Sequence, residues 1–203
     1  MRVCDRVSCP DFPCGDVDHG RHEVPAAQLD SARVRLILVA EAPPAAAADG
    51  LHAPGLPFHL ATTLQAFREA GAAASAREDL DALGVYLTTA VKCAKTGAVI
   101  SRATTDSCSR LLGDEIGLFP EARVIMLMGD VAIAAGNAVA RRSGRGRLIP
   151  SGPLWRVRRG EYSYEDRRVF PTYLQTGKSY LIERSKREMI ATDLAAALAL
   201  LGN

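Results

Sequence analysis

The densest chemistry in this sequence lies in its five cysteines. Cys9 and Cys14 are spaced C-x4-C in CPDFPC, and Cys93 and Cys108, much further along, are separated by fourteen residues. Four thiolates brought together hold either a cubane iron–sulfur cluster or a tetrahedral zinc. The N-terminal pair lacks the C-x2-C spacing common in zinc sites, which favours iron–sulfur. Cys4 is a spare, or it displaces Cys9. An odd number of thiols argues against a disulfide framework. The competing reading, that Cys93 and Cys108 are small core hydrophobes, leaves unexplained why three more cysteines fall within the first fourteen residues. The second chemical feature is a carboxylate, Glu41, at the end of the apolar run VRLILVAEAPP (Val34–Pro44) and just before two prolines. Asp49, in ADGLH, lies on the same loop.

These groups need elements to hold them. VRLILVA, GVYLTTAV and ARVIMLMGD read as buried parallel strands, because they are short and almost wholly apolar. LATTLQAFREAG has helical spacing with Leu60, Leu64 and Phe67 on one face and Gly71 as a stop. TTDSCSRLLGDEIGLFP and VAIAAGNAVARR are predicted helices, and SKREMIATDLAAALALLG a C-terminal amphipathic one. PLWRVRR and RRVFPTYL are predicted strands joined by the turn GEYSYED. Alternating strands and helices predict an α/β fold, with one domain over 1–203 and a cysteine-rich loop at 1–30. Sites in such folds collect at the carboxyl ends of the strands. Three loops lie there: Glu41–Pro44, Lys92–Gly97 and Tyr173–Lys178.

Composition bounds the function class. With 48% hydrophobic and 24% charged residues, the chain is of ordinary globular type. No run of about 18 apolar residues occurs, so no membrane partner is expected. The first residues lack the apolar core of a signal peptide, and the expected compartment is the cytoplasm. The net charge is +2, but it is uneven. From Arg141 onward there are 13 Lys and Arg against 6 Asp and Glu. Such asymmetry points to nucleic acid, or equally to a solvated basic face.

The order LILVAEAPP, LPF, VYLTTAVKC with a second cysteine after it, VIMLMGDVA and RVFPTYL resembles the uracil-DNA glycosylase superfamily. The most similar branch carries a four-cysteine iron–sulfur cluster. The resemblance implies a three-layer α/β/α sandwich around a mainly parallel sheet. It also implies a 4Fe-4S cluster on Cys9, Cys14, Cys93 and Cys108, with zinc the alternative, and DNA as partner with no obligatory protein partner evident. The family's Gly-Glu-Ala-Pro-Gly stands here as Ala40-Glu41-Ala42-Pro43-Pro44, and its Pro-Phe as Pro57-Phe58. Its Asn-Ala-Val-Lys-Cys has Thr89 in place of the asparagine, and its His-Pro-Ser falls on Leu174, Gln175 and Thr176.

The implied activity is extraction and excision of uracil or another deaminated or damaged base, leaving an abasic site. Glu41 or Asp49 would stabilise the sugar cation or position water. Phe58 would stack the base, with Thr89, Gln175 and Ala42 lining its pocket. Leu174 cannot donate to the leaving base; Gln175, Thr176, Lys178 and His59 are the substitutes in reach. Thr89 offers one hydroxyl where asparagine offers a donor and an acceptor. Lys92, Arg145, Arg147 and Lys178 would contact DNA. Trp155 could stack a base, but core packing is the commoner fate of such a residue. The departures leave an alternative of another class, a non-catalytic iron–sulfur module of the same fold that binds nucleic acid or senses damage.

Overall fold

A computed structural model describes residues 1–202, the side chain of Ser179 excepted. Its elements run β1 (Val17–His22), β2 (Leu36–Ala40), α1 (Phe58–Glu69), α2 (Arg77–Ala82), β3 (Val85–Thr89), β4 (Cys93–Lys95), α3 (Arg102–Gly117), β5 (Val124–Met128), α4 (Gly129–Arg142), α5 (Leu154–Val157), β6 (Tyr162–Tyr164), β7 (Arg167–Thr172), α6 (Lys178–Ile182) and α7 (Arg184–Ala199). The central sheet has the order β3-β2-β5-β7-β6. Its first four strands are mutually parallel, and β6 closes one edge antiparallel to β7. Every residue of β2, β3 and β5 is buried, as parallel strands covered on both faces must be.

Strand alternation splits the core in two. Ile37, Val39, Ile125 and Leu127 pack with Leu112 and Ile116 of α3 and with Ala132, Ala135 and Val139 of α4. Leu36, Leu38, Val124 and Met126 turn the other way, onto Leu60, Leu64 and Phe67 of α1 and Ile190, Leu194 and Ala197 of α7. Each such aliphatic side chain contributes about 1.5–3 kcal/mol on burial. Helices on both faces of one sheet make the α/β/α sandwich. Close approach is needed at Gly136, where an added Cβ would lie 2.6 Å from Leu127 Cδ1.

The sequence expectations fail in three places. PLWRVRR is not a strand: Pro153, with its extended backbone, starts the single helical turn of α5, a place where proline's fixed φ does no harm. The expected turn GEYSYED contains β6, and the reversal is confined to the next two residues, where Glu165 takes a φ of +54°. The strand expected over GVYLTTAV stops at Thr89, and Cys93 opens a separate strand, β4. β4 leaves the main sheet and pairs with β1, so the N-terminal cysteine-rich segment holds a strand.

The parallel order creates one switch point. From β2 the chain goes to β3 on one side, then returns to β5 on the other. A crevice therefore opens beyond the carboxyl ends of β2 and β5, where ligands bind in folds of this kind.

Candidate functional site

The N-terminal segment is clamped beside α3. Asp16 accepts hydrogen bonds from Ser101 N at 2.6 Å and from the Thr104 hydroxyl. The Thr96 hydroxyl donates to Asp16 O at 3.0 Å, and Glu23 N to Lys92 O at 2.7 Å. This brings Cys9 and Cys14 to the same cavity, about 250 Å3, that Cys93 and Cys108 line. Cys4 lies outside that lining and points to the Asp5 carboxylate at 3.9 Å. Among the described residues no three His, Cys, Asp or Glu side chains stand close enough to hold a single metal ion. Four thiols spread around such a space fit a group of several atoms, as a cluster is. Burial, then the crowding of Cys108, Cys9 and Cys14, pushes the Cys93 thiol up to about 12. Four neighbouring thiolates are thus costly without a bound cation to reverse that balance. Lys92 N donates to Cys108 Sγ at 3.2 Å, the kind of outer contact that orients a ligating sulfur.

Lys92 itself corrects an expectation. Placed on the DNA track by sequence, it is fully buried. Its ammonium ion-pairs with Glu115 and donates to Thr88 Oγ1 at 2.8 Å and Thr89 O at 2.6 Å. Glu115 also accepts from Tyr86 Oη at 2.5 Å and Thr88 Oγ1 at 2.9 Å. A lysine closed in this way cannot reach a phosphate. Glu115 lies 23 residues further on, and neither residue carried a signal of the other.

The crevice at the switch point is an open groove of about 1160 Å3. Glu41 enters it just past the end of β2, Gly129 and Asp130 from the start of α4 directly after β5, and Tyr173 and Leu174 from the loop after β7. Glu41 is half-buried, with Lys95 Nζ 3.3 Å from its Oε2. Arg147 lines the groove. Trp155 also lines it and is 50% exposed, so it does not pack into the core. Arg145 and Lys178 are exposed but do not line the groove, and Arg145 lies 5.9 Å from the Tyr164 ring centroid.

Asp49, His59 and the loop after β7 form a second layer. His59 is half-buried, and burial, with some help from Lys95, holds it below the usual imidazole range against the pull of Asp49. Gly177, at φ +76°, runs so close that an added Cβ would sit 3.0 Å from His59 Nε2. Its N–H donates to Thr62 Oγ1 at 3.1 Å. Gln175 in that loop is fully buried, yet neither amide atom has a protein partner. Buried amides are almost always satisfied, so this one marks a place for a ligand or water. Phe58 is half-buried at the start of α1, and Thr89 and Ala42 are buried. Ala42 packs with Cys93 and Cys108 rather than with the groove. None of Phe58, Thr89 and Gln175 lines the groove, so it does not gather the whole expected base pocket.

Residues 27–192 match the family model for the uracil DNA glycosylase superfamily. The chain belongs to this superfamily. Among curated relatives, a Type-5 uracil-DNA glycosylase of Thermus thermophilus is 40% identical over 58 residues. That stretch is 29% of this chain and 26% of the relative, so the chain spans about a quarter of the length of the curated relative it matches. The superfamily match explains the sheet and its crevice. It begins after Cys9 and Cys14 and after β1, so the N-terminal half of the thiol cavity is read from geometry alone. Among the described residues no helix is long and apolar enough to cross a membrane.

Proposed function

We propose that the chain is a DNA glycosylase that turns a deaminated or damaged base out of the helix and hydrolyses its bond to the sugar. The observation that carries this is the Glu41 carboxylate at the switch-point end of β2, on the wall of a large groove, in a chain of this superfamily. In the reaction the C1′–N bond breaks and its electron pair leaves with the base. Water then bonds to C1′; one of its protons goes to the departing base or to solvent, and the other stays on the new hydroxyl. Glu41 stabilises the cationic sugar and orients that water. Phe58 stacks the base at the start of α1. The leaving base gathers negative charge and needs a donor. Leu174 supplies none, whereas His59, held against Gly177 and near Asp49, offers an imidazole N–H in the same region, its burial disfavouring the charged form. The orphaned Gln175 amide offers both a donor and an acceptor for a base edge. Arg147 contacts a phosphate.

Cys9, Cys14, Cys93 and Cys108 would hold an iron–sulfur cluster that fastens β1 and the CPDFPC loop to α3 and takes no part in cleavage. A brown protein with iron and sulfide supports this; a colourless zinc protein does not.

The test is base release from oligonucleotides carrying uracil, hypoxanthine, xanthine or mismatched thymine, single- and double-stranded. Release from one of them, falling about 100-fold or more in Glu41→Gln, is expected. A second reading, the non-catalytic module, draws on Leu174 facing the groove where the family has histidine. No release from the whole panel, with DNA still bound, would establish that reading instead.

A further inference from the structure

Two imidazoles join the four thiols. His19 and His22 both line the cavity of Cys9, Cys14, Cys93 and Cys108. In a regular strand residues three apart face opposite sides. Here the pairing of β1 with β4 slips between Asp18 and His22, so that His22 lies opposite Cys93. Such an irregularity re-aims side chains. His22 Nδ1 is 3.6 Å from Cys93 Sγ. The Phe12 ring, in the turn between Cys9 and Cys14, stands 5.3 Å from the His19 ring and 5.2 Å from the His22 ring, edge-on to the latter. Among the described residues few buried side-chain polar atoms lack a partner, and the Nε2 atoms of His19 and His22 are two of them.

An anionic cluster in this pocket needs donors. Lys92 N supplies one, to Cys108, but the Lys92 ammonium is neutralised by Glu115 and turned to Thr88 and Thr89. We propose that His19 and His22 are hydrogen-bond donors to the sulfurs of the group the four cysteines hold, raising its reduction potential and slowing its loss. The proposal rests on the iron–sulfur reading. Hydrogen bonds to sulfur are among the levers that set cluster potentials, and outer partners of metal ligands govern retention as well as orientation. Both residues act through the cluster and are positioning residues.

The experiment uses the full chain purified without oxygen, as wild type, His19→Ala, His22→Ala and His22→Gln. Iron and sulfide content, dye-mediated potentiometric titration and proton couplings of the reduced state in H2O and D2O are measured. The expected result is a wild-type cluster with exchangeable protons coupled to it. Each alanine variant should have a lower potential and lose iron to a chelator several-fold faster, and His22→Gln should recover part of the change. An unchanged potential and unchanged couplings in both alanine variants would overturn the proposal. Should His22→Ala lose the cluster outright, recovery in His22→Gln supports a donor role, and no recovery overturns it. Wild-type protein without iron and sulfide overturns the cluster reading itself, a separate and visible failure.

Discussion

His52 shows how a single residue carries a pH dependence that the sequence does not announce. Burial, aided by Arg77 and Lys92, pushes its imidazole down to about 4. The unfolded chain takes up this proton near pH 6.5; the folded chain does so only near 4. Between those values the unfolded state binds more protons, so stability falls as pH drops through the window. The ceiling for one such group is about 3 kcal/mol. Urea midpoints for wild type and His52→Gln at pH 7, 5.5 and 4.5 should diverge, the wild type losing more on acidification. Parallel curves would remove His52 as the cause. His59 shifts in the same direction from the same dominant cause, but its place beside Gly177 makes it a reporter of the site as well as of the fold.

At the scale of elements, the Lys92–Glu115 pair latches the β3–β4 connection to α3. Cys93 follows Lys92 directly, and Cys108 lies two helical turns before Glu115, so one latch positions both of the later cysteines. Removing one partner of a buried ion pair leaves the other charge uncompensated, a loss of about 3–5 kcal/mol. Lys92→Met should destabilise by that amount in chemical denaturation, and Lys92→Met with Glu115→Leu should recover most of it. A single variant as stable as wild type would show that the latch contributes nothing. Such long-range pairings mark the limit of what the sequence made legible. β2 and β5 were plain, because a strand buried on both faces is an unbroken apolar run, and β3 was nearly so, its apolar start running into the buried Thr88 and Thr89. β1 was not, because VDHGRH is polar and earns its strand only by pairing with β4. PLWRVRR misled because one helical turn is too short to show a period. Of the site, Glu41 and the four cysteines were visible from strand ends and spacing. His19 and His22 were not, since nothing in sequence tells that β1 slips its register.

Across the whole molecule, about half of the basic residues in the C-terminal third stand in ion pairs within the chain. Arg141 and Arg142 pair with Asp106, Arg158 with Asp193, and Arg187 with Glu69. The groove follows suit: Arg102, Arg141, Arg147 and Lys186 share its walls with Glu41, Asp106, Asp130 and Glu183. A balanced groove releases few counterions. The affinity for DNA should therefore fall gently with salt, with a log–log slope between about −1 and −3, at about 0.9 for each phosphate neutralised. Titrations from 50 to 200 mM salt measure it, and a slope steeper than about −5 would place the DNA on some other, more basic face. The half-exposed indole on that groove has a consequence of its own. Trp155 is the chain's single tryptophan, so the native protein should already fluoresce at the long wavelengths of a wet indole. Unfolding will change its colour little, but a nucleobase settling against it will quench it. The molecule thus carries an unlabelled optical gauge of groove occupancy that is almost blind to folding.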